Sequence, residues 1–201
     1  MHPNPAFRHL TEAEALDMAY ARGFGQLSVN GEAGPIAAHI PFELGVGEVH
    51  LHMARSNPIA RAALPMPALL AVTGPDAYIS PDWYDTADQV PTWNYTAVHL
   101  RGLLVPLPLD ALRPHLERMS AIFEARLAPK TPWKTAKMTD DALARMMRMI
   151  LPFRLVLRSV EATVKLGQNK SATARAGAAA GIKATPVGME AAQIAAMMRA
   201  V

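Results

Sequence analysis

The chain contains no cysteine among its 201 residues. Disulfide bonds, thiolate metal sites and thiol catalysis are therefore excluded. Charged residues make up only 18% of the sequence, and the basic residues behind the formal net charge of +3 form no continuous run. Because a helix-turn-helix pattern is also missing, DNA is a weakly supported partner.

Long hydrophobic runs are missing as well. No apolar stretch approaches the roughly 20 residues of a membrane-spanning helix, and the opening segment MHPNPAFRHL lacks the apolar region of a signal peptide. We therefore expect a cytoplasmic protein with no membrane partner. With 51% hydrophobic residues the chain can still bury a substantial core, which predicts a domain of ordinary size.

The sequence offers no clear catalytic machinery of its own. No serine lies in a nucleophile-elbow pattern, and no two carboxylates are obviously paired. His50 and His52 are two residues apart in a predicted strand and so share a face, as metal ligands could. No thiolate or carboxylate pair completes such a site, so no metal is predicted.

Aromatic residues are few, at 6%, but they are concentrated in residues 73–102, TGPDAYISPDWYDTADQVPTWNYTAVHLRG. Rigid aromatic side chains with polar ends suit the wall of a planar ligand site or a subunit interface. An aromatic-rich structural turn is the alternative interpretation. The aromatic residues that lie among prolines, glycines and aspartates are Tyr78, Trp83, Tyr84, Trp93 and Tyr95.

Periodicity and capping patterns predict an antiparallel, mainly β protein with flanking helices. Thr11 and Glu14 form a capping-box pattern at the start of a helix over 11–23. Three short strands at 26–29, 36–42 and 48–54 form a meander typical of an antiparallel barrel, with Asn30 and Gly31 as the first turn. Further strands are predicted over 68–73, over 93–107 with a bulge or bend, and over 153–166, and further helices over 110–128, from Thr139 and over 186–201.

The end of the third strand has the features of an anion site. Arg55 and Ser56 follow the strand, and Asn57 and Pro58 are typical of the first positions of a helix. Free backbone N–H groups at a helix start, a guanidinium and a hydroxyl would together suit a phosphate. A capped helix beside a solvated arginine is the alternative.

Four segments in chain order resemble the PaiB family of FMN-binding negative transcriptional regulators. They are HMARSNP at 52–58, GPDAYISPDWY at 74–84, VPTWNYTAVHLRG at 90–102 and KLGQNKS at 165–171. The resemblance implies an antiparallel FMN-binding split β-barrel, mainly β with flanking helices (α+β), related to pyridoxamine-phosphate oxidases and flavin reductases. It also implies a homodimer with FMN between the subunits.

The resemblance further implies which residues bind FMN. Arg55 and Ser56 would hold the phosphate, next to Asn57, whereas residues 93–95 would come from the partner subunit or close the pocket. Strand residues 39–42 and 52–54 would flank the ring and the ribityl chain. Polar residues of 165–170, at the end of another strand, would meet phosphate or ring oxygens. The implied residues besides 55–57 are His39, Ile40, Pro41, Phe42, His52, Met53, Ala54, Trp93, Asn94, Tyr95, Lys165, Gln168, Asn169 and Lys170.

The last of the four segments departs from the family pattern. The family commonly shows Trp-Lys-Leu-Ser-Gln-Asn-Arg there, whereas this chain has Val164, Gly167 and Lys170. Lysine lacks the bidentate geometry of arginine, which weakens the expected contact. A polar turn that ends a strand is the alternative interpretation of this segment.

Three hypotheses for function follow. The first is an FMN-dependent oxidoreductase whose further partner is a nicotinamide cofactor or a small-molecule substrate, with the flavin performing the electron transfer and no catalytic side chain predicted. The second is a flavin-linked repressor of transcription. The third is a haem-binding or haem-degrading split barrel. We expect residues 1–170 to form the FMN-binding split-barrel domain and residues 171–201 an Ala-rich helical C-terminal extension packed on it.

Overall fold

The computed structural model describes residues 1–201. Its strands are β1 (Phe24–Gly31), β2 (Gly34–Leu44), β3 (Glu48–Ala54), β4 (Met66–Ile79), β5 (Thr92–Pro106) and β6 (Ile150–Lys165). Its α-helices are α1 (Glu12–Arg22), α2 (Leu112–Ala125), α3 (Asp140–Met147), α4 (Ala172–Ala184) and α5 (Ala191–Ala200). Short 3-10 helices lie at Pro5–Phe7, Ile59–Arg61, Pro81–Tyr84, Leu109–Ala111 and Thr135–Lys137. None of the helices combines the length and the apolar character needed to cross a membrane.

The six strands close into a barrel in the order β1-β2-β3-β6-β5-β4, and β4 pairs back onto β1. The pairs β1–β2, β1–β4, β2–β3 and β3–β6 are antiparallel. Closure satisfies the backbone hydrogen-bonding groups that an open sheet would expose at its edges. The predicted antiparallel split barrel with flanking helices is therefore confirmed.

The first hairpin turns two residues later than the sequence predicts. Gly31 pairs with Gly34, so Glu32 and Ala33 form the turn and Asn30 lies inside β1. Gly34 has a φ of +123°, a conformation that glycine adopts without a steric penalty. The second glycine of this segment, rather than the Asn-Gly pair, therefore decides where the chain turns.

Helix starts agree with the capping patterns. Oε2 of Glu14 accepts hydrogen bonds from the backbone N and from Oγ1 of Thr11, both at 2.8 Å, and Glu14 N donates to Thr11 Oγ1 at 3.3 Å. Thr139 Oγ1 accepts from Ala142 N at 3.4 Å at the start of α3. The helices predicted over 11–23, over 110–128 and from Thr139 are confirmed, with α2 a few residues shorter than expected.

Strand β5 shows no bulge in its burial pattern, although the sequence predicts a bulge or a bend there. Burial alternates residue by residue along the strand. Asn94 and Thr96 lie on its buried face, whereas His99 and Arg101 lie on the other. The irregular sequence pattern thus reflects polar residues on the buried face.

The chain divides into two compact units. The barrel unit comprises residues 19–71 and 100–159 and contains β1 to β3, α2 and α3. Gly102 allows a close backbone approach within it, because an added Cβ would lie 2.1 Å from the carbonyl oxygen of Val156. Its largest fully buried side chains are Leu27, Leu51, Ile59, Leu70, Leu100, Leu104, Leu112, Phe153 and Leu155.

The terminal unit comprises residues 1–18, 72–99 and 160–201. Helices α4 and α5 share one apolar core with Ala77, Ile79 and Tyr84. Trp83 packs against this core, and a Cβ added to Gly181 of α4 would lie 2.2 Å from Cδ2 of its indole ring. Residues 171–201 therefore take part in the core of this unit, while a domain boundary at residue 170 stays a prediction.

Candidate functional site

Arg55 follows the last residue of β3 and is exposed. Its backbone N donates to the carbonyl oxygen of Met149 at 2.9 Å, and its Nε donates to the carbonyl oxygen of Arg148 at 2.6 Å. These two bonds fix the end of β3 to the residues that precede β6. The two terminal nitrogens of the guanidinium are left for other contacts.

The helix expected after Arg55 is a single 3-10 turn, Ile59–Arg61, and its N-cap residue is Pro58. Asn57 Oδ1 does accept from Ile59 N at 2.9 Å. Three residues cannot align enough peptide dipoles to make a positive helix end of useful strength. The predicted helix-start contribution is therefore wrong, and an anion site at Arg55 depends on side chains.

A cleft of about 560 Å³ lies beside Arg55 in the barrel unit, and we call it the arginine cleft. Arg55, Arg113 and Arg148 bring three guanidinium groups to it, and Asp140 brings one carboxylate. Arg113 is also paired with Glu117 at 3.1 Å, where both side chains are about half exposed. The rest of the lining is apolar: Leu109, Leu112, Leu143, Ala144 and Met147. Several cations beside an apolar floor suit an amphipathic anion.

A second polar group of the barrel unit, the histidine row, consists of His52 on β3, His115 on α2 and Glu43 on β2. Nδ1 of His52 is 3.1 Å from Nε2 of His115, and Nδ1 of His115 is 2.9 Å from Oε1 of Glu43. His115 is only 1% exposed and Glu43 only 5%. Arg118 donates from Nη2 to Oε1 of Glu43 at 2.7 Å and from Nε to both carboxylate oxygens at 3.1 and 3.3 Å. The buried carboxylate is thus fully partnered.

Burial and partners set the charges of the histidine row. Burial lowers the pKa of His52 to about 4, and the charge of His115 acts in the same direction. Burial by itself would raise the pKa of Glu43, but hydrogen bonds from His115 and Arg118 outweigh it, so the pKa is lowered. Near neutral pH, Glu43 is therefore a carboxylate and His52 carries no charge.

His50 shares a face of β3 with His52, as the spacing predicts, but it has a different partner. Its Nε2 lies 2.7 Å from Oε1 of Glu48, whose Oε2 accepts from Nη1 of Arg154 at 3.1 Å. The ring centroids of His50 and His115 are 6.4 Å apart. No three of the chain's His, Asp and Glu side chains are grouped so as to hold a metal ion.

Strand geometry divides the implied cofactor residues of β2 and β3 between two faces. Ile40, Phe42 and Met53 are at most 4% exposed and belong to the core. Only their backbone groups could therefore contact a ligand. The residues with accessible side chains are His39, Pro41, His52 and Ala54, followed by Arg55, Ser56 and Asn57.

The same alternation divides the implied residues of β5 in the terminal unit. Trp93 is 46% exposed and Tyr95 is half-buried, whereas Asn94 is 1% exposed on the opposite face. Asn94 Nδ2 donates to Sδ of Met198 at 3.3 Å, and its Oδ1 has no hydrogen-bond partner. The three side chains therefore cannot meet one ligand from the same face.

Contacts within the terminal unit engage most polar groups of residues 165–171. Lys165 Nζ donates to Oγ1 of Thr92 at 2.5 Å and to a backbone carbonyl oxygen at 2.8 Å, and burial lowers its pKa. The side chain of Gln168 bonds to neighbouring backbone groups at 2.8 and 2.6 Å. Lys170 Nζ lies 5.3 Å from a tyrosine ring centroid, and Asn169 is exposed. These contacts stabilise the turn that ends β6.

Five polar residues of the barrel unit were not predicted from sequence. Most of their partners lie far along the chain; Glu43 and His115, for example, are 72 positions apart. One signal was available, because His115 shares a helical stripe with Leu112 and Met119 and so interrupts an apolar face. The unpredicted residues are Glu43, Arg113, His115, Arg118 and Arg148.

The closed antiparallel barrel with flanking helices places the chain in the split-barrel class of folds. The FAD and haem binding protein of Mycobacterium smegmatis aligns with a TM-score of 0.59 and 18% identity, over 89% of this chain and 80% of that chain. The flavocytochrome Anf3 of Azotobacter vinelandii aligns with a TM-score of 0.61 and 13% identity, over 82% and 72% of the two chains. At these identities the similarity concerns the fold alone.

Sequence comparison identifies the family. Residues 1–159 match the family model described as "Putative FMN-binding domain". The chain is 30% identical over 175 residues to the protease synthase and sporulation protein PAI 2 of Bacillus subtilis (strain 168), which covers 84% of this chain and 83% of that protein. The chain therefore belongs to the PaiB family of flavin-binding split-barrel proteins, with FMN as its cofactor.

Proposed function

We propose that this protein is an FMN-dependent oxidoreductase that works as a homodimer and holds the FMN phosphate at Arg55. The observation that carries the proposal is the arginine cleft, in which three guanidinium groups lie beside an apolar floor. FMN joins a phosphate to a planar ring system, so this donor set fits it well. Bound FMN supplies the electron-transfer chemistry, and the protein supplies binding and orientation.

Arg55 is the principal phosphate ligand in this proposal, with Ser56 and Arg148 beside it. The bond from Arg55 Nε to the carbonyl oxygen of Arg148 restricts rotation of the guanidinium before any ligand arrives. Such pre-organisation reduces the entropy lost on binding. Asp140 repels anions and Glu117 pairs with Arg113, but Arg55 and Arg148 remain as cations at the cleft.

The homodimer is supported by exposed apolar side chains in each unit. Phe24 of the barrel unit is 48% exposed, and Trp93 and Met189 of the terminal unit are 46% and 67% exposed. Large apolar groups on a surface are typical of subunit interfaces. Sedimentation equilibrium at micromolar concentration should give twice the mass of one chain, and a monomer would contradict the dimer.

A flavin-linked repressor is the second candidate, and the resemblance of four segments of the chain to a family of FMN-binding negative transcriptional regulators favours it. The two functions make different demands. An oxidoreductase must pass electrons between a donor and the flavin, whereas a repressor must bind a specific DNA sequence at physiological salt.

The deciding experiment starts from the absorbance spectrum of the purified protein with added FMN. We expect a flavin spectrum that NADH or NADPH bleaches without oxygen and that oxygen or a small electron acceptor restores. Sequence-specific DNA binding without any bleaching would replace the oxidoreductase with the repressor. A haem Soret band in place of the flavin bands would overturn both.

A further inference from the structure

We propose that the histidine row is a proton relay that exchanges one proton with the ligand held beside β3. Its outer end is Nε2 of His52, and its inner end is the carboxylate of Glu43. The inference rests on the proposed function, because two-electron reduction of a flavin takes up protons and so gives the relay chemistry to serve. His52 takes up the proton and passes its other ring proton to His115, which holds the charge, while Glu43 acts as a positioning residue.

When His115 is neutral, its partners assign a position to each ring proton of the row. A carboxylate only accepts, so Nδ1 of His115 carries a hydrogen and donates it to Glu43. Neutral His115 then has a lone pair at Nε2, so it accepts from Nδ1 of His52 at 3.1 Å. Nε2 of His52 is left with a lone pair and can act as a base.

Uptake of one proton moves two hydrogens in the same direction. A bond forms between the proton and Nε2 of His52 as the bond to the protic group of the ligand, or to water, breaks. The Nδ1–H bond of His52 breaks as an Nε2–H bond forms on His115. His52 is again neutral with its other tautomer, His115 is an imidazolium, and no electrons are transferred. Release of the proton reverses both steps.

The surroundings favour a positive charge on His115 rather than on His52. His115 is 2.9 Å from the Glu43 carboxylate, whereas burial and the charge of His115 disfavour a second charge on His52. Arg118 opposes the charge on His115, but its side chain is 52% exposed and is screened by solvent. The titratable and charged groups that face the row are Glu43 from β2, Glu48, His50 and His52 from β3, His115 and Arg118 from α2, and Arg154 from β6.

The row lies on the same two elements as the arginine cleft. On β3 and its end, His52 precedes Arg55 by three residues, and on α2, His115 follows Leu112 by three residues, or about one helical turn. The side chain of His52 is partly exposed, while the other two members are buried. A proton that enters at His52 is therefore carried away from solvent.

Nitrogen-15 NMR of the histidine rings in the flavin-free wild-type protein tests the relay without any variant. As the pH is lowered, we expect the ring proton of His52 to move from Nδ1 to Nε2 at the same midpoint at which a second ring proton appears on His115. His52 itself should stay neutral. A single His52 tautomer throughout, or a charge on His52 acquired separately, would overturn the relay.

Glu43→Gln provides a second readout, because it keeps an acceptor but removes the charge. The shared midpoint should fall by at least one pH unit, a tenfold change in proton affinity. His50→Gln removes a neighbouring ring outside the row and should leave the midpoint in place, and circular dichroism checks that both variants fold. An unchanged midpoint in Glu43→Gln would overturn the role of Glu43.

FMN titration of the same sample separates this inference from the proposed function. FMN that binds and perturbs the His52 ring signals supports both. FMN that binds while His52 never changes tautomer overturns the relay alone. A tautomer change in a protein that fails to bind FMN overturns the proposed function and, with it, the assignment of the ligand that the relay serves.

Discussion

Nε of Arg55 donates a hydrogen bond to the backbone carbonyl oxygen of Arg148 at 2.6 Å. Arg55 therefore stabilises the junction between β3 and the segment before β6, in addition to any contact with a ligand. A loss of FMN binding in an Arg55 variant could arise from either effect. The experiment must compare ligands that differ only in the phosphate.

Arg55→Ala should weaken FMN binding by about ten- to a hundredfold, because a charge-assisted contact contributes about 1.5–3 kcal/mol. Riboflavin has no phosphate and should lose little affinity. Fluorescence titration of both flavins into wild type and variant measures the difference. Arg145→Ala is the matched control, since Arg145 lies on α3, is exposed and does not line the arginine cleft. Equal losses for the two flavins would mean that Arg55 supports only the fold.

Stability should fall as the pH drops from about 6.5 towards 4, because the pKa of His52 is lowered from 6.5 to about 4 in the folded protein. In that range the unfolded chain binds a proton at His52 that the folded chain does not bind. At pH 5 the loss is about 1–2 kcal/mol, allowing for solvent screening of a partly exposed ring. Urea unfolding at pH 7.5 and pH 5 should show this loss in wild type and a smaller one in His52→Gln. Identical losses in the two proteins would contradict the assignment.

Thr96→Val should be neutral or stabilising by up to about 1 kcal/mol. Thr96 is fully buried, and its Oγ1 has no hydrogen-bond partner, so the hydroxyl is desolvated without compensation. Thr163→Val is the matched control, because the equally buried Thr163 Oγ1 accepts from His2 N at 3.2 Å. The free energy of unfolding of this control variant should fall by about 1 kcal/mol. Thermal unfolding of both variants measures the contrast, and a clear loss in Thr96→Val would point to a partner for its hydroxyl.

Gly181→Ala should destabilise the protein by about 1–2 kcal/mol, because the added Cβ would lie 2.2 Å from Cδ2 of Trp83. Alanine favours a helix over glycine by about 1 kcal/mol, which offsets part of the clash. In a Trp83→Ala background the clash is gone, so Gly181→Ala should become neutral or stabilising. A double-mutant cycle by urea unfolding measures this coupling. Additive effects would show that the two residues do not meet.

Local chemistry made much of the fold predictable from sequence. The capping box of Thr11 and Glu14 and the cap at Thr139 depend on residues three apart, and the structure forms both. The predicted positions of the turn after β1 and of the helix after Asn57 were less accurate. In each segment several residues could form the turn or the helix start, and the surrounding structure decides which of them does. The imperfect alternation of polarity along β5 was also hard to interpret from sequence. Asn94 is a polar residue on the buried face, where its side chain bonds to Met198 of α5.

Neither the arginine cleft nor the histidine row could be predicted from residues that are close together in the sequence. Arg55 was a candidate because it follows a strand, but its neighbours Arg113 and Arg148 reach the arginine cleft through tertiary packing. The family resemblance implies His52, but no pattern in the sequence points to its pairing with His115, which is 63 positions away. Sequence alone identifies one member of each site, and the fold supplies the others.

The terminal unit is formed by segments from both ends of the chain, which affects how it folds during synthesis. Residues 1–18 belong to the same unit as residues 160–201, and His2 N donates to Thr163 Oγ1 across 161 positions. Every residue of the barrel unit has been translated by position 159, but the terminal unit cannot close before its last helices leave the ribosome. Until then Ala77, Ile79 and Tyr84 lack the apolar cover that α4 and α5 provide, and a nascent chain stalled near position 170 would expose them to chaperones.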